Sequence, residues 1–247
     1  MILDSLMKLS QIEVIQLQLE QDQDIYDPYF VLSFDVYYRG TIPEKRRSFF
    51  GVLEMFESSP SHPKDRILTD NIPVRLEYRN LDRVETLFAS MQSDLHYPEK
   101  ELSYLIHRII HGEILTPAHS SFLRLVEQSH ELPPQFWKRL RSFFSSKMEN
   151  CLNDLRAASL RNDPFFFHYS LGNFLKNAGA LLLALNGQTE PSPRNLDRYL
   201  RKLKLLPDGF EANYTSLLRT HDDLSMERKS EVAALLTKSI LGLLPSS

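Results

Sequence analysis

Glycine is scarce in this sequence: there are 8 in 247 residues, and the first is Gly40. No glycine-rich phosphate loop can therefore precede that position, and neither a P-loop nor a dinucleotide-binding fingerprint occurs later in the chain. Cysteine is scarcer still. Cys151 is the single one, which excludes an internal disulfide and a cysteine-based zinc site and suits a reducing cytoplasm. It has no activating partner in sequence that would make it a nucleophile. Long apolar runs are also missing. The longest, Ala178 to Leu185, is too short to cross a bilayer, and MILDSLMKLSQ lacks the apolar core and cleavage site of a secretory signal. Finally, no charge of one sign dominates. The net charge is −3 and the isoelectric point about 6.2, so nothing draws the chain as a whole to nucleic acid or an anionic membrane. These absences lead us to expect a cytoplasmic protein with neither a membrane nor a nucleic-acid partner.

What is present suffices for a substantial core: 42% of residues are hydrophobic and 25% charged. The chain changes texture near its first third. In IEVIQLQLE, Ile15, Leu17 and Leu19 alternate with Gln16, Gln18 and Glu20, as in a half-buried strand. In YFVLSFDVYY, residues Phe30, Leu32, Phe34, Val36 and Tyr38 form a core-facing side, and Val31, Ser33, Asp35 and Tyr37 form the other. RSFFGVLEMFESS reads as a further strand and SSPSHPKD as a loop. NIPVRLEYRN reads as a short strand with Arg75 and Glu77 opposite Val74, Leu76 and Tyr78. From Leu81 onward the period becomes helical. Helices are expected over LDRVETLFASMQ, after Pro98, from Pro117 through Leu125, over QFWKRLRSFFSSKMENCLNDLRAASLRND, over Tyr169 to Asn186, over LDRYLRKLK and over Met226 to Leu244. A small mixed sheet within residues 1–95 followed by a helical bundle over 96–247 is an α+β arrangement rather than an alternating α/β one.

Several residue groups carry chemistry in this pattern. Asp35 and Glu77 each point away from the apolar side of a short strand. If those strands are neighbours, the carboxylates meet on one surface and can hold Mg²⁺ and a triphosphate; the ordinary alternative is two strand acids beside Arg75 and Arg79. His107 and His111 in HRIIH have the i, i+4 spacing of zinc ligands, but the metalloprotease signature needs Glu where Arg108 stands, and surface or interface histidines are the plainer account. Arg198, Arg201, Lys202 and Lys204, with Arg194 and Lys176, line either a phosphate cleft or the wet face of a helix. Trp137 reads as a core anchor.

DPYFVLSFDVYYRG followed by IPVRLEYRN resembles the core of the nucleotidyltransferase superfamily, in which one strand carries an acid-x-acid pair and a later strand a third acid. LSYLIHRIIHGEIL and NAGALLLALNGQTEPSPRNLDRYLRKLKLLPDGF resemble the helical domain of the bacterial two-domain members, which closes over the nucleotide. The resemblance implies a nucleotidyltransferase-like domain over residues 1–95. Asp35 and Glu77 then take the catalytic and metal-binding places, with Mg²⁺ the implied cofactor, and Ser33, Arg75, Lys176 and Arg194 are nucleotide contacts. Two departures stand out. Ser33 occupies the place of the second acid of the pair, and a slip of two residues would leave Val31 and Ser33 there. The superfamily's Gly-Ser turn is replaced by LEQDQDIYD, whose Glu20, Asp22, Asp24 and Asp27 repel a polyanion. The implied protein has a degenerate active site and binds a nucleotide or a protein partner without catalysis. The alternative is an active Mg²⁺-dependent enzyme acting on a small hydroxylated acceptor, with a third carboxylate from Asp27 or the bundle. A second resemblance, Arg161 and His168 in RNDPFFFH, is to the Arg/His pattern of HEPN-type ribonucleases.

Overall fold

The computed structural model describes residues 2–18, 32–42, 50, 53, 55–58, 63–91, 99–219 and 224–245. It divides into two compact units. One is Met1–Tyr97 with Leu105–Leu132, and the other is Pro98–Tyr104 with Pro133–Ser247.

The first unit is built on a mixed sheet of six described strands: β1 (Ile12–Gln18), β2 (Leu32–Tyr38), β3 (Met55–Ser58), β4 (Lys64–Thr69), β5 (Ile72–Asn80) and β6 (Gly112–Ile114). Their order across the sheet is β3-β4-β5-β2-β1-β6. Only β2 and β5 run parallel. β4 and β5 form a hairpin with Thr69 opposite Ile72. Asp70 and Asn71 make its two-residue turn with φ of 51° and 58°, the pair of positive values that a type I′ turn requires and that Asp and Asn tolerate. One side of the sheet buries Ile15, Phe34, Val36, Ile67, Val74, Leu76 and Tyr78 together with Leu6 of α1 (Ile2–Met7). This is the period-two side expected from the sequence. It also holds Asp65, fully buried, which accepts hydrogen bonds from Tyr78 Oη at 2.8 Å and Ser58 Oγ at 2.7 Å. After β5 the chain enters α2 (Leu81–Ser90), where Asn80 Oδ1 accepts from the Arg83 amide at 3.0 Å and so caps the first turn. α3 (Glu99–His111) runs into β6, and α4 (Ser120–His130) follows.

The second unit is helical. α5 (Pro134–Leu160) buries Phe136, Leu140, Phe144, Met148, Leu152, Leu155 and Ala158, a stripe at helical spacing. It turns through Asn162 (φ 51°) into α6 (Pro164–Leu185). Asp163 caps α6 by accepting from the Phe166 amide at 3.0 Å. α6 is enclosed from Ala178 to Ala184. Beyond it lie α7 (Leu196–Leu200), α8 (Phe210–Leu218) and α9 (Met226–Leu241).

Several expected elements shift. The strand read in RSFFGVLEMFESS is confined, among the described residues, to Met55–Ser58. Lys64 and Asp65, assigned to a loop, already belong to β4, because the Asp-Asn turn gives β5 an antiparallel partner. The helix expected from Pro117 starts at Ser120 and continues to His130. α6 begins at Pro164 rather than Tyr169, since Asp163 and Pro164 supply a cap and an N1 proline. The helix in LDRYLRKLK ends at Leu200, so Lys202 and Lys204 lie beyond it.

Candidate functional site

The side of the sheet opposite the core is polar, and cross-strand register arranges it in two rows. Asp35 lies opposite Gln16 of β1 and Glu77 of β5, and Glu77 lies opposite Lys64 of β4. In the adjacent row, Ser33 pairs with Arg75, Arg75 with Arg66, and Arg66 with Glu57. Asp35 and Glu77 are therefore neighbours, the condition that the sequence left open.

What fills the space around them is arginine. Asp35 has no exposed surface and accepts four hydrogen bonds. Arg108 donates from Nε to Oδ2 at 2.7 Å and from Nη2 to Oδ1 at 2.9 Å. Arg79 Nε donates to Oδ1 at 2.8 Å, and Gln18 Nε2 donates to Oδ2 at 2.8 Å. Arg79 also reaches Glu77, with Nη2 2.9 Å from Oε2, so one guanidinium bridges both carboxylates. The other oxygen of Glu77 lies 3.3 Å from Lys64 Nζ and 3.4 Å from Arg75 Nε. Ser33 Oγ accepts from Arg75 Nη2 at 2.9 Å and Nε at 3.2 Å, and from Arg108 Nη2 at 3.4 Å.

Arg108 is delivered by the last turn of α3, whose carbonyls are capped from the sheet. Gln18 Nε2 donates to Arg108 O at 3.3 Å, and Gln16 Nε2 donates to Ile109 O and Gly112 O at 3.2 Å. These amides satisfy carbonyls that a helix end leaves without partners. The glutamines of the alternation read as a half-buried strand, Gln16 and Gln18, are themselves buried and bind a helix terminus. Tyr37 lies on the same side of β2. Its ring packs on Phe122 of α4 with centroids 4.6 Å apart, and its buried hydroxyl has no hydrogen-bond partner among the described residues.

The electrostatics follow from this crowding. Burial raises the Glu77 pKa, but Arg108, Arg79, Arg75 and Lys64 outweigh it and hold the carboxyl at about 2. Burial and the charge of Asp35 push the Tyr37 phenol up. Burial works against the charge of Arg79, yet Asp35 and its neighbours raise that pKa as well.

This donor set does not suit Mg²⁺. The ion takes oxygen ligands in a near-octahedral shell. Both Asp35 oxygens already accept two hydrogen bonds each, and Glu77 is flanked by three cationic side chains. Among the described residues, no group of three or more His, Cys, Asp or Glu side chains could hold a metal ion. The rings of His107 and His111 lie against each other, tilted by 44°, with centroids 4.3 Å apart.

With this geometry in view, the chain matches no family model and no curated protein. A solved structure gives a likeness. The crystal structure of a nucleotidyltransferase-like protein from Exiguobacterium sibiricum 255-15, at 1.90 Å resolution, superposes with a TM-score of 0.52 at 14% sequence identity. The match covers 95% of this chain and 70% of that one. The likeness is one of fold.

Of the site residues named from sequence for a nucleotidyltransferase-like fold, Ser33, Asp35, Arg75 and Glu77 come together on the polar face. Lys176, on α6, and the exposed Arg194 belong to the second unit. Asp27 and the rest of the acidic LEQDQDIYD segment, with Val31 of the shifted pair, lie outside the described residues. Arg161 follows α5, and His168 is exposed on α6. Of the three phenylalanines between them, Phe167 is buried whereas Phe165 is 82% exposed. Sequence reasoning missed Arg108, Gln18 and Lys64. Arg79 carried a signal in the alternation Arg75, Glu77, Arg79.

No described helix is long and apolar enough to cross a membrane.

Proposed function

We propose that this chain is a two-domain nucleotidyltransferase-like protein with a degenerate active site, which binds a nucleotide and does not transfer it. The observation that supports this reading is the ligation of Asp35. A carboxylate that holds a catalytic metal must keep lone pairs free for it, and those of Asp35 are spent on Arg79, Arg108 and Gln18. Ser33, where the superfamily's pair would need an acid, is a hydroxyl shared by Arg75 and Arg108. Replacing carboxylate and metal by hydroxyl and guanidinium preserves attraction for phosphate while removing the Lewis acid. Arg75 and Ser33 are the proposed nucleotide contacts.

Calorimetry with ATP, GTP and CTP, each with and without Mg²⁺, tests the proposal, with pyrophosphate release followed in parallel. The reading expects binding of at least one nucleotide and no release above the enzyme-free rate. Mg²⁺-dependent binding lost in Glu77→Ala, accompanied by release of pyrophosphate, would establish an active transferase instead. Absence of binding by every nucleotide would leave a protein partner as the ligand of this face.

A further inference from the structure

Among the described residues, the polar face carries more positive charge than its carboxylates balance. Lys64, Arg66, Arg75, Arg79 and Arg108 outnumber Asp35, Glu57 and Glu77 by two. Most of that charge is internally paired, since Arg79 and Arg108 are committed to Asp35 and Glu77. The surplus gathers where Arg66 and Arg75 stand directly opposite each other on antiparallel strands. Opposite residues have Cβ atoms about 5 Å apart, and like charges so placed destabilise the pair unless an anion lies between them. Glu57 does not serve this purpose well. It is 3.5 Å from Arg66, and both side chains are 63% exposed. Arg75 donates twice to the neutral Ser33 hydroxyl, its Nε is 3.4 Å from Glu77, and no acceptor among the described residues meets its Nη1. Lys64, one position along β4 from Asp65 and two from Arg66, adds an ammonium on the same side.

We propose that Arg66 and Arg75, flanked by Lys64, form a metal-independent site for the phosphate groups of a small ligand. The proposal rests on reading the polar face as a binding surface, as above, and adds which residues hold the ligand and in what ionic form. A guanidinium pair offers parallel N–H donors matched to phosphate oxygens. It neutralises the charge that a divalent ion would otherwise carry. Mg²⁺ bound to the ligand then competes with the arginines and is repelled by them, so the free anion is the preferred form.

Inorganic pyrophosphate, which has no base or sugar, is the probe. Titration calorimetry on the full chain should show binding in EDTA that weakens several-fold on adding Mg²⁺ and as salt rises. Arg75→Gln should weaken it at least tenfold and Arg66→Gln at least threefold. Arg66 is mostly exposed, so its replacement does not threaten folding, and Arg228→Gln, exposed in the second unit, should change nothing. Binding that needs Mg²⁺, binding indifferent to both substitutions, or no binding overturns the proposal. If ATP binds without Mg²⁺ while pyrophosphate does not, this phosphate site is wrong and the nucleotide reading stands. If pyrophosphate binds and no nucleotide does, this site stands and the nucleotide reading falls.

Discussion

Asp35 and Glu77 sit side by side on paired strands, yet they meet water and charge differently. Asp35 is sealed, and its four hydrogen bonds match the number of its lone-pair positions. Glu77 keeps 20% of its side chain exposed and is held by charge from Arg108, Arg79, Arg75 and Lys64. Its pKa of about 2 lies below the 4.5 of a free glutamate. A depressed carboxylate pKa stabilises the folded state above the unfolded value, and that stabilisation is lost as pH falls through the folded value. Glu77→Gln should therefore cost on the order of 3 kcal/mol at neutral pH. The cost should hold down to about pH 5 and then shrink as the pH approaches 2. Urea titrations of both proteins between pH 7 and pH 2.5 measure this. A difference that stays constant with pH would mean the carboxylate charge contributes nothing.

The junction of α3 with β6 shows how a three-residue element can organise a site. Gly112 opens β6 beneath the last turn of α3. A Cβ there would lie 2.9 Å from Gln16 Cδ and Gln18 Nε2 and 3.0 Å from Arg108 O. Flexible side chains usually yield to such contacts, but these two amides hold the carbonyls of the helix end. Gly112→Ala should thus destabilise the protein by about 1–3 kcal/mol, as denaturant midpoints would show, and Gly112→Val by more. A neutral Gly112→Ala would place no weight on the glutamine caps. The same junction marks the limit of what the sequence discloses. β1, β2 and β5 were legible because each alternates along its own length, and α5 because its buried positions recur with the helical period. β6 has too few residues for any period, and its partner β1 lies about a hundred residues away. β4 was obscured by the turn-forming residues before it, although Asp70 and Asn71 announced its hairpin. Arg108 was hidden for another reason. On an amphipathic helix, a basic residue reads as solvated, and nothing local indicates that it reaches an acid 73 positions earlier.

The chain as a whole contains two compact units, each with its own apolar core. All the described ion pairs of Asp35 fall within the first. Breaking a buried ion pair by removing one partner costs about 3–5 kcal/mol, because the opposite charge is left uncompensated. Asp35→Asn keeps the shape but leaves Arg79 and Arg108 facing a neutral amide. If the units unfold as separate cooperative parts, that loss is confined to the first. Amide hydrogen exchange should then accelerate by about two to four orders of magnitude in β1, β2 and β5. The central turns of α5 and α6, packed through Phe144, Met148, Phe174 and Ala178, should keep their protection. Acceleration spread evenly over both units would show one cooperative molecule, in which the charge network of the sheet supports the helices too. Unchanged exchange everywhere would instead show that water or rearrangement replaces Asp35 at little cost, and would remove the argument that its arginines are committed to it.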